Sequence, residues 1–183
     1  MLRAAAAFVA VLALAIAAAG CGGSDSSSDT SPVDAWASGF CGAVNDWKNS
    51  LKDITAQFND TSNLSADGVQ SAADDARRAT DTLISSIKDL GAPDTESGQE
   101  AKDAIDSLST TLDTEMSSIE DTAKGVSNLT DIPGAISTIS TSVSTMSTAF
   151  SQTLTTISDA DTKGELKTAF EDSPDCADLT STS

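Results

Sequence analysis

Residues 32 to 58 read PVDAWASGFCGAVNDWKNSLKDITAQF, and this stretch decides the fold. Its large apolar side chains are Trp36, Phe40, Val44, Trp47, Leu51, Ile54 and Phe58, separated by 4, 4, 3, 4, 3 and 4 residues. Steps of three and four put all seven on one face of an α-helix, whereas a half-buried strand would alternate with period two. Ser31 supplies a capping hydroxyl, Pro32 fits the first helical position and Asp34 places an acid in the first turn. A helix over 32–58 is therefore expected.

The same rhythm recurs downstream. After a polar break holding Asn59, Asp60, Asn63 and Ser65, the stripe resumes at Val69, Ala73, Ala76, Thr80, Leu83, Ile87 and Leu90, and Gly91 and Pro93 stop it. A third stripe, Ala101, Ile105, Leu108, Leu112, Met116, Ile119 and Ala123, ends near Gly125 and follows Thr95 or Ser97 as cap, the latter forming a capping-box pattern with Glu100. The fourth carries Ile132, Ile136, Ile139, Val143, Met146, Phe150, Leu154 and Ile157. Residues 137–158 are crowded with Ser and Thr, weak helix formers that also suit a disordered stalk, but a stalk has no reason to keep apolar steps of three and four.

Four amphipathic helices with short connections predict an all-α fold, an up-down-up-down four-helix bundle. Leu166 and Phe170, followed by Pro174 and Cys176, predict a short C-terminal helix at the end of the bundle where the first helix begins. That brings Cys176 toward Cys41, two turns into the first helix.

Outside 32–183 the chain reads differently. Residues 1–20 hold one basic residue, Arg3, then an alanine-rich apolar run with Phe8, Val9, Leu12 and Ile16, and end in Ala18-Ala19-Gly20 before Cys21. The run is short for a bilayer span and is expected to be a cleavable export signal. Residues 21–31 are Gly, Ser, Asp and Thr-rich with nothing apolar to bury, a flexible tether of roughly 17 Å reach. Cysteine directly after small residues resembles the bacterial lipobox, which implies acylation of Cys21 as the mature N-terminus; Ala18 departs from the leucine that pattern prefers. Ordinary secretion or a retained N-terminal anchor are the alternatives.

Three cysteines leave one odd, and lipidation of Cys21 would remove it. Cys41 and Cys176 then remain, in an oxidising compartment and without further soft ligands, as an expected disulfide and not a metal site.

Composition narrows the function. With 28 acidic and 10 basic side chains the formal net charge is −18, and there is neither His nor Tyr. Histidine triads, histidine-ligated zinc or haem, and a basic face for nucleic acid are excluded. Cleavage before Cys21 removes only Arg3 from the count, leaving 9 basic against 28 acidic residues and a net charge of −19.

Several local patterns carry a sharper and a blander reading. Ser85-Ser86-Ile87-Lys88 matches S-x-x-K of penicillin-recognising enzymes, but S-D-N and K-T-G partners are missing and Ile87 belongs to a bundle stripe. Asp159-Ala160-Asp161-Thr162-Lys163-Gly164 starts like a calcium loop, yet Phe170 stands where a bidentate Glu is needed; Asp161 is expected to cap the last helix. The triplets at Asn59, Asn63 and Asn128 match glycosylation acceptors and are read as turns. Asp74-Asp75-Ala76-Arg77-Arg78 offers acid to base pairs along a solvated helix face. Trp36, Phe40, Phe150 and Phe170 converge by topology, as core or as an aromatic ligand pocket between helices.

Together, Ala18-Ala19-Gly20-Cys21, the Ser/Asp tether, Trp36 with Phe40-Cys41, Leu90-Gly91-Ala92-Pro93-Asp94-Thr95 and Pro174-Asp175-Cys176 resemble small lipoproteins of high-GC Gram-positive bacteria, a group with no established activity. Trp36-Ala37-Ser38-Gly39 is only superficially similar to the W-x-G secreted hairpins, which turn at that point. The expected function is that of a membrane-tethered, non-catalytic bundle outside the cytoplasmic membrane, anchored by lipid and binding a protein or envelope component, with no cofactor or metal. A small-molecule carrier is the alternative, and an enzyme ranks third.

Overall fold

The Ser31 hydroxyl accepts from the Asp34 backbone N–H at 3.1 Å, and the Asp34 carboxylate accepts from the Ser31 N–H at 3.3 Å. This reciprocal box, with Pro32 as the first helical residue, satisfies donors that the first turn leaves unpaired. In the computed structural model, which describes residues 31–57 and 65–177, it opens α1 (Pro32–Ala56). The expected extension to Phe58 falls outside the described residues, as do the export signal, Cys21 and the sites at Asn59 and Asn63.

Ser65 caps α2 (Ala66–Asp89) by accepting from Gly68 N–H at 3.0 Å. Gly91, at φ 66°, then turns the chain in a left-handed conformation that other residues adopt only with strain. Helices α3 (Gly98–Gly125), α4 (Ile132–Ala160) and the short α5 (Glu165–Asp172) follow, with a 3-10 turn at Pro174–Cys176. The described residues form an all-helical bundle of five helices and no strands.

Packing follows chain order. Helix α1 lies against α2, α2 against α3 and α3 against α4, the last being the most extensive pair, while α5 and the 3-10 turn pack on α1. Phe40, Leu83, Ile87, Leu108, Leu112, Met116, Met146 and Ile157 are fully buried between them. Gly98 permits a close approach at the start of α3. A Cβ on it would stand 2.0 Å from the Pro93 carbonyl oxygen, so this turn accepts only glycine.

Three expectations require correction. Ser97 does not form a capping box with Glu100; its hydroxyl instead donates to the Ala160 carbonyl at 2.7 Å and ties α3 to the end of α4. Arg77 does not pair back to Asp74. It reaches forward to Asp81 at 3.1 Å and across to Asp113 of α3 at 2.6 Å, while Arg78 pairs with Asp75 as expected. The buried face of α4 is Ile132, Ala135, Ser142, Met146, Thr153 and Ile157, and Ile136 and Val143 of the expected stripe are exposed. The cause is the partner: α4 seats chiefly on α3, so its inner face is rotated toward the Ala135, Ser142 and Thr153 side.

The Ser/Thr content of α4 is compatible with a helix because many hydroxyls bond within it. Thr141, Thr145, Thr148, Thr155 and Thr156 each donate to the carbonyl four residues back, at 2.9 to 3.1 Å.

Candidate functional site

The four aromatic residues singled out in the sequence come together at the end of the bundle where α5 crosses α1. Trp36 stacks on Phe40 with centroids 5.7 Å apart, one helical turn along α1, as their i, i+4 spacing requires. Phe170 of α5 meets both edge-on, 6.0 Å from each. Phe150 of α4 lies 6.4 Å from Phe40 and 5.5 Å from Trp47, which extends the cluster inward. Edge-on and offset contacts at these separations are favourable beyond the area they bury.

The rings fill the space they enclose. Phe40 has 0% and Trp36 5% of its surface exposed. The Trp36 indole N–H donates to the Gly91 carbonyl at 3.0 Å, which fixes the ring against the turn after α2. Trp47 is held as firmly: its indole N–H donates to Thr80 Oγ1 at 3.0 Å, and that hydroxyl lies 2.9 Å from the Ala76 carbonyl it donates to.

Beside the rings Cys41 and Cys176 are joined in a disulfide, both buried, with their Cα atoms 5.0 Å apart. Around it, the Asn45 side-chain amide donates to the Asp175 carbonyl at 2.6 Å and the Ser38 hydroxyl donates to the Asp175 carboxylate. The C-terminal turn is thus fastened to α1 covalently and by polar contacts.

The weaker motifs resolve into local structure. Ser85 and Lys88 are exposed on α2 with Ile87 buried between them. Asp161 accepts from the backbone N–H groups of Glu165 at 3.1 Å and Lys167 at 2.9 Å, capping α5 as expected. Asn128 accepts from the Thr130 N–H at 3.0 Å, closing a turn. Among the described residues no three Cys, Asp or Glu side chains converge in a manner that could hold a metal ion. No described helix is long and apolar enough to cross a membrane.

Three charged contacts are perturbed. Burial works against the Arg77 charge, but the Asp113 hydrogen bond and the charges of Asp81, Asp113 and Glu120 outweigh it and raise its pKa. Hydrogen bonds to Asp106 and Glu96 raise those of Lys102 and Lys163, respectively. Lys102 and Asp106 pair one turn apart within α3, whereas Arg77 ties α2 to Asp113 of α3 and Lys163 reaches Glu96 at 2.7 Å, linking the α4–α5 and α2–α3 connections.

The surface offers shallow grooves elsewhere. One of about 820 Å³ runs along α4 between Thr111 and Gln152 and is lined by hydroxyls such as Ser137, Thr141 and Thr148. A second, of about 420 Å³, lies between α1 and α2 beside Trp47, Asp75 and Arg78. Among the described residues the large apolar side chains that face solvent are Leu129 at 64%, Ile136 at 53% and Val143 at 42% exposure; reading α4 as a uniformly buried stripe missed the last two.

Compared with known protein families, characterised proteins and solved structures, the chain matches none.

Proposed function

We propose that this chain is an extracytoplasmic lipoprotein tethered to the membrane through Cys21. In this reading its bundle runs up-down-up-down and is a non-catalytic binding body for a protein or envelope component. The observation that carries the tether is the cysteine pairing: with Cys41 bonded to Cys176, Cys21 is the odd cysteine, directly after Ala18-Ala19-Gly20. A buried cystine also belongs to an oxidising compartment.

Polar ties support the up-down-up-down course. Trp36 to Gly91 and Ser97 to Ala160 join the starts of α1 and α3 to the ends of α2 and α4 at one pole. At the other pole Gln70, early in α2, donates to the Val126 carbonyl just after α3 at 3.4 Å. Binding is favoured over small-molecule transport because the aromatic cluster is occupied by its own rings, whereas Leu129, Ile136 and Val143 present apolar surface to a partner.

Fractionation of cells producing wild type and Cys21→Ser tests the reading. Wild type should partition with membranes and carry an acyl mass increment, and the variant should appear in the medium or remain unprocessed. Equal membrane partition of both, with no added mass, would refute the tether.

A further inference from the structure

Helix α5 and the 3-10 turn behind it lie against the stacked Trp36 and Phe40 rings and are fastened at both ends. At one end Gly164 joins them to α4, and at the other the bond from Cys176 to Cys41 joins them to α1 beside Phe40. Between these points the hold is slight. Leu166 and Ala169 are buried and Phe170 is half-buried, while the remaining side chains of α5 are exposed. The helix packs chiefly on α1 and only weakly on α4, and the contacts that join α1 to α2, α2 to α3 and α3 to α4 do not pass through it. Its 8 residues make a helix too short to persist without a surface to pack on.

The polar ties of the turn, from Asn45 to the Asp175 carbonyl and from Ser38 to its carboxylate, are exposed and exchange readily for water. Ser173, between α5 and the turn, is only 8% exposed and buries a hydroxyl that has no partner, an unfavourable state that opening relieves. Gly164 supplies the hinge: it stands at φ 73°, in the left-handed region, with open space where a side chain would be.

We propose that α5 with its terminal turn is a redox-controlled strap, locked over the aromatic pair by the Cys41–Cys176 bond and free to swing about Gly164 once that bond is reduced. A dithiol reductant carries the step: two electrons and two protons pass to the two sulfurs, which separate as thiols, and the reductant is itself oxidised to a disulfide. With the bond intact, both ends of the strap are fixed and α5 cannot leave α1. With it cut, the Leu166, Ala169 and Phe170 contacts alone keep the strap closed, and it opens locally while α1 to α4 stay packed. Opening withdraws Phe170, which lies edge-on 6.0 Å from each ring, and bares Trp36 and Phe40, only 5% and 0% exposed when it is shut. An aromatic face closed in the oxidised chain thus becomes a contact surface in the reduced one. Burial of both sulfurs shields the bond from a reductant while the strap is shut, so the change is slow. The proposal goes beyond the tethered-bundle reading and stands without it, because its test omits Cys21.

Thiol labelling of the full chain carrying Cys21→Ser, reduced in denaturant and refolded, measures the opening. Iodoacetamide is the probe, mass spectrometry the readout, and the series runs through urea concentrations below the unfolding midpoint. Cys41 and Cys176 should react in the absence of urea at least about tenfold faster than global unfolding predicts, at a rate nearly independent of urea, because a local opening exposes little surface. Phe170→Ala should speed the labelling at least about tenfold by removing the ring that holds the strap. Leu112→Ala, in the buried middle of α3, should lower the urea midpoint and leave the labelling rate without urea unchanged. Labelling that follows global unfolding at every urea concentration would overturn the proposal. So would a rate that ignores Phe170→Ala, a rate that rises with Leu112→Ala, or a reduced chain without native helical signal.

Discussion

Reduction of the Cys41–Cys176 cystine should destabilise the bundle more than most single core substitutions would. The two cysteines stand 135 residues apart, so the bond closes nearly the whole described chain into one loop. On the chain-entropy model a loop of that length restricts the unfolded ensemble by about 5 kcal/mol at 25 °C. That is comparable with the entire stability of many domains, and for a domain of this size it corresponds to a fall in melting temperature of about 10–20 °C. Because both sulfurs are buried, removing them by substitution would add a cavity term, whereas comparing oxidised with reduced wild type changes only the crosslink. The assay is urea unfolding followed by far-ultraviolet circular dichroism, on protein reduced in denaturant and refolded with reductant beside protein kept oxidised. The reduced form should unfold at markedly lower urea and with a steeper dependence, since its unfolded state exposes more surface. Coincident curves would refute the reasoning, for the loop would then contribute nothing to the folding equilibrium.

Gly98→Ala should destabilise by at least about 2 kcal/mol in the same unfolding assay, because its methyl would meet the Pro93 carbonyl oxygen at 2.0 Å; a change below about 0.5 kcal/mol would show that this turn opens freely. The Lys163–Glu96 contact gives an alkaline signature. Its hydrogen bond raises the Lys163 pKa above the ordinary 10.5, so the tie is intact below that value and is lost as pH rises through the raised one. Glu96→Gln should lower the Lys163 midpoint in an NMR titration of its side chain, and an unmoved midpoint would count against the contact.

Much of this architecture is legible because large side chains leave little choice of side. Leu83, Ile87, Leu108, Leu112 and Met116 are buried as their spacing predicts, and Ser31 with Pro32 and Asp34 caps α1 as their order predicts. Helix α4 is harder to read since Ala, Ser and Thr tolerate either environment. Which of Ala135 or Ile136, Ser142 or Val143 turns inward depends on how closely α3 approaches, and no residue of α4 states that. Ser97 shows the same ambiguity: a hydroxyl suited to capping its own helix bonds instead to Ala160, 63 residues away. Convergence of Trp36, Phe40, Phe150 and Phe170 follows from the order of helices. Mutual filling by those rings follows from their tilts, which spacing does not encode.

Because the cystine spans the helix connections, the backbone between Cys41 and Cys176 is part of a covalent ring. A single proteolytic cut in the exposed turn around Leu129 would separate α1–α3 from α4–α5 in sequence but leave one molecule, whose two pieces part only after reduction. Where reductants are scarce, such a nicked bundle keeps α4 seated on α3 and survives damage that would divide an unlinked chain.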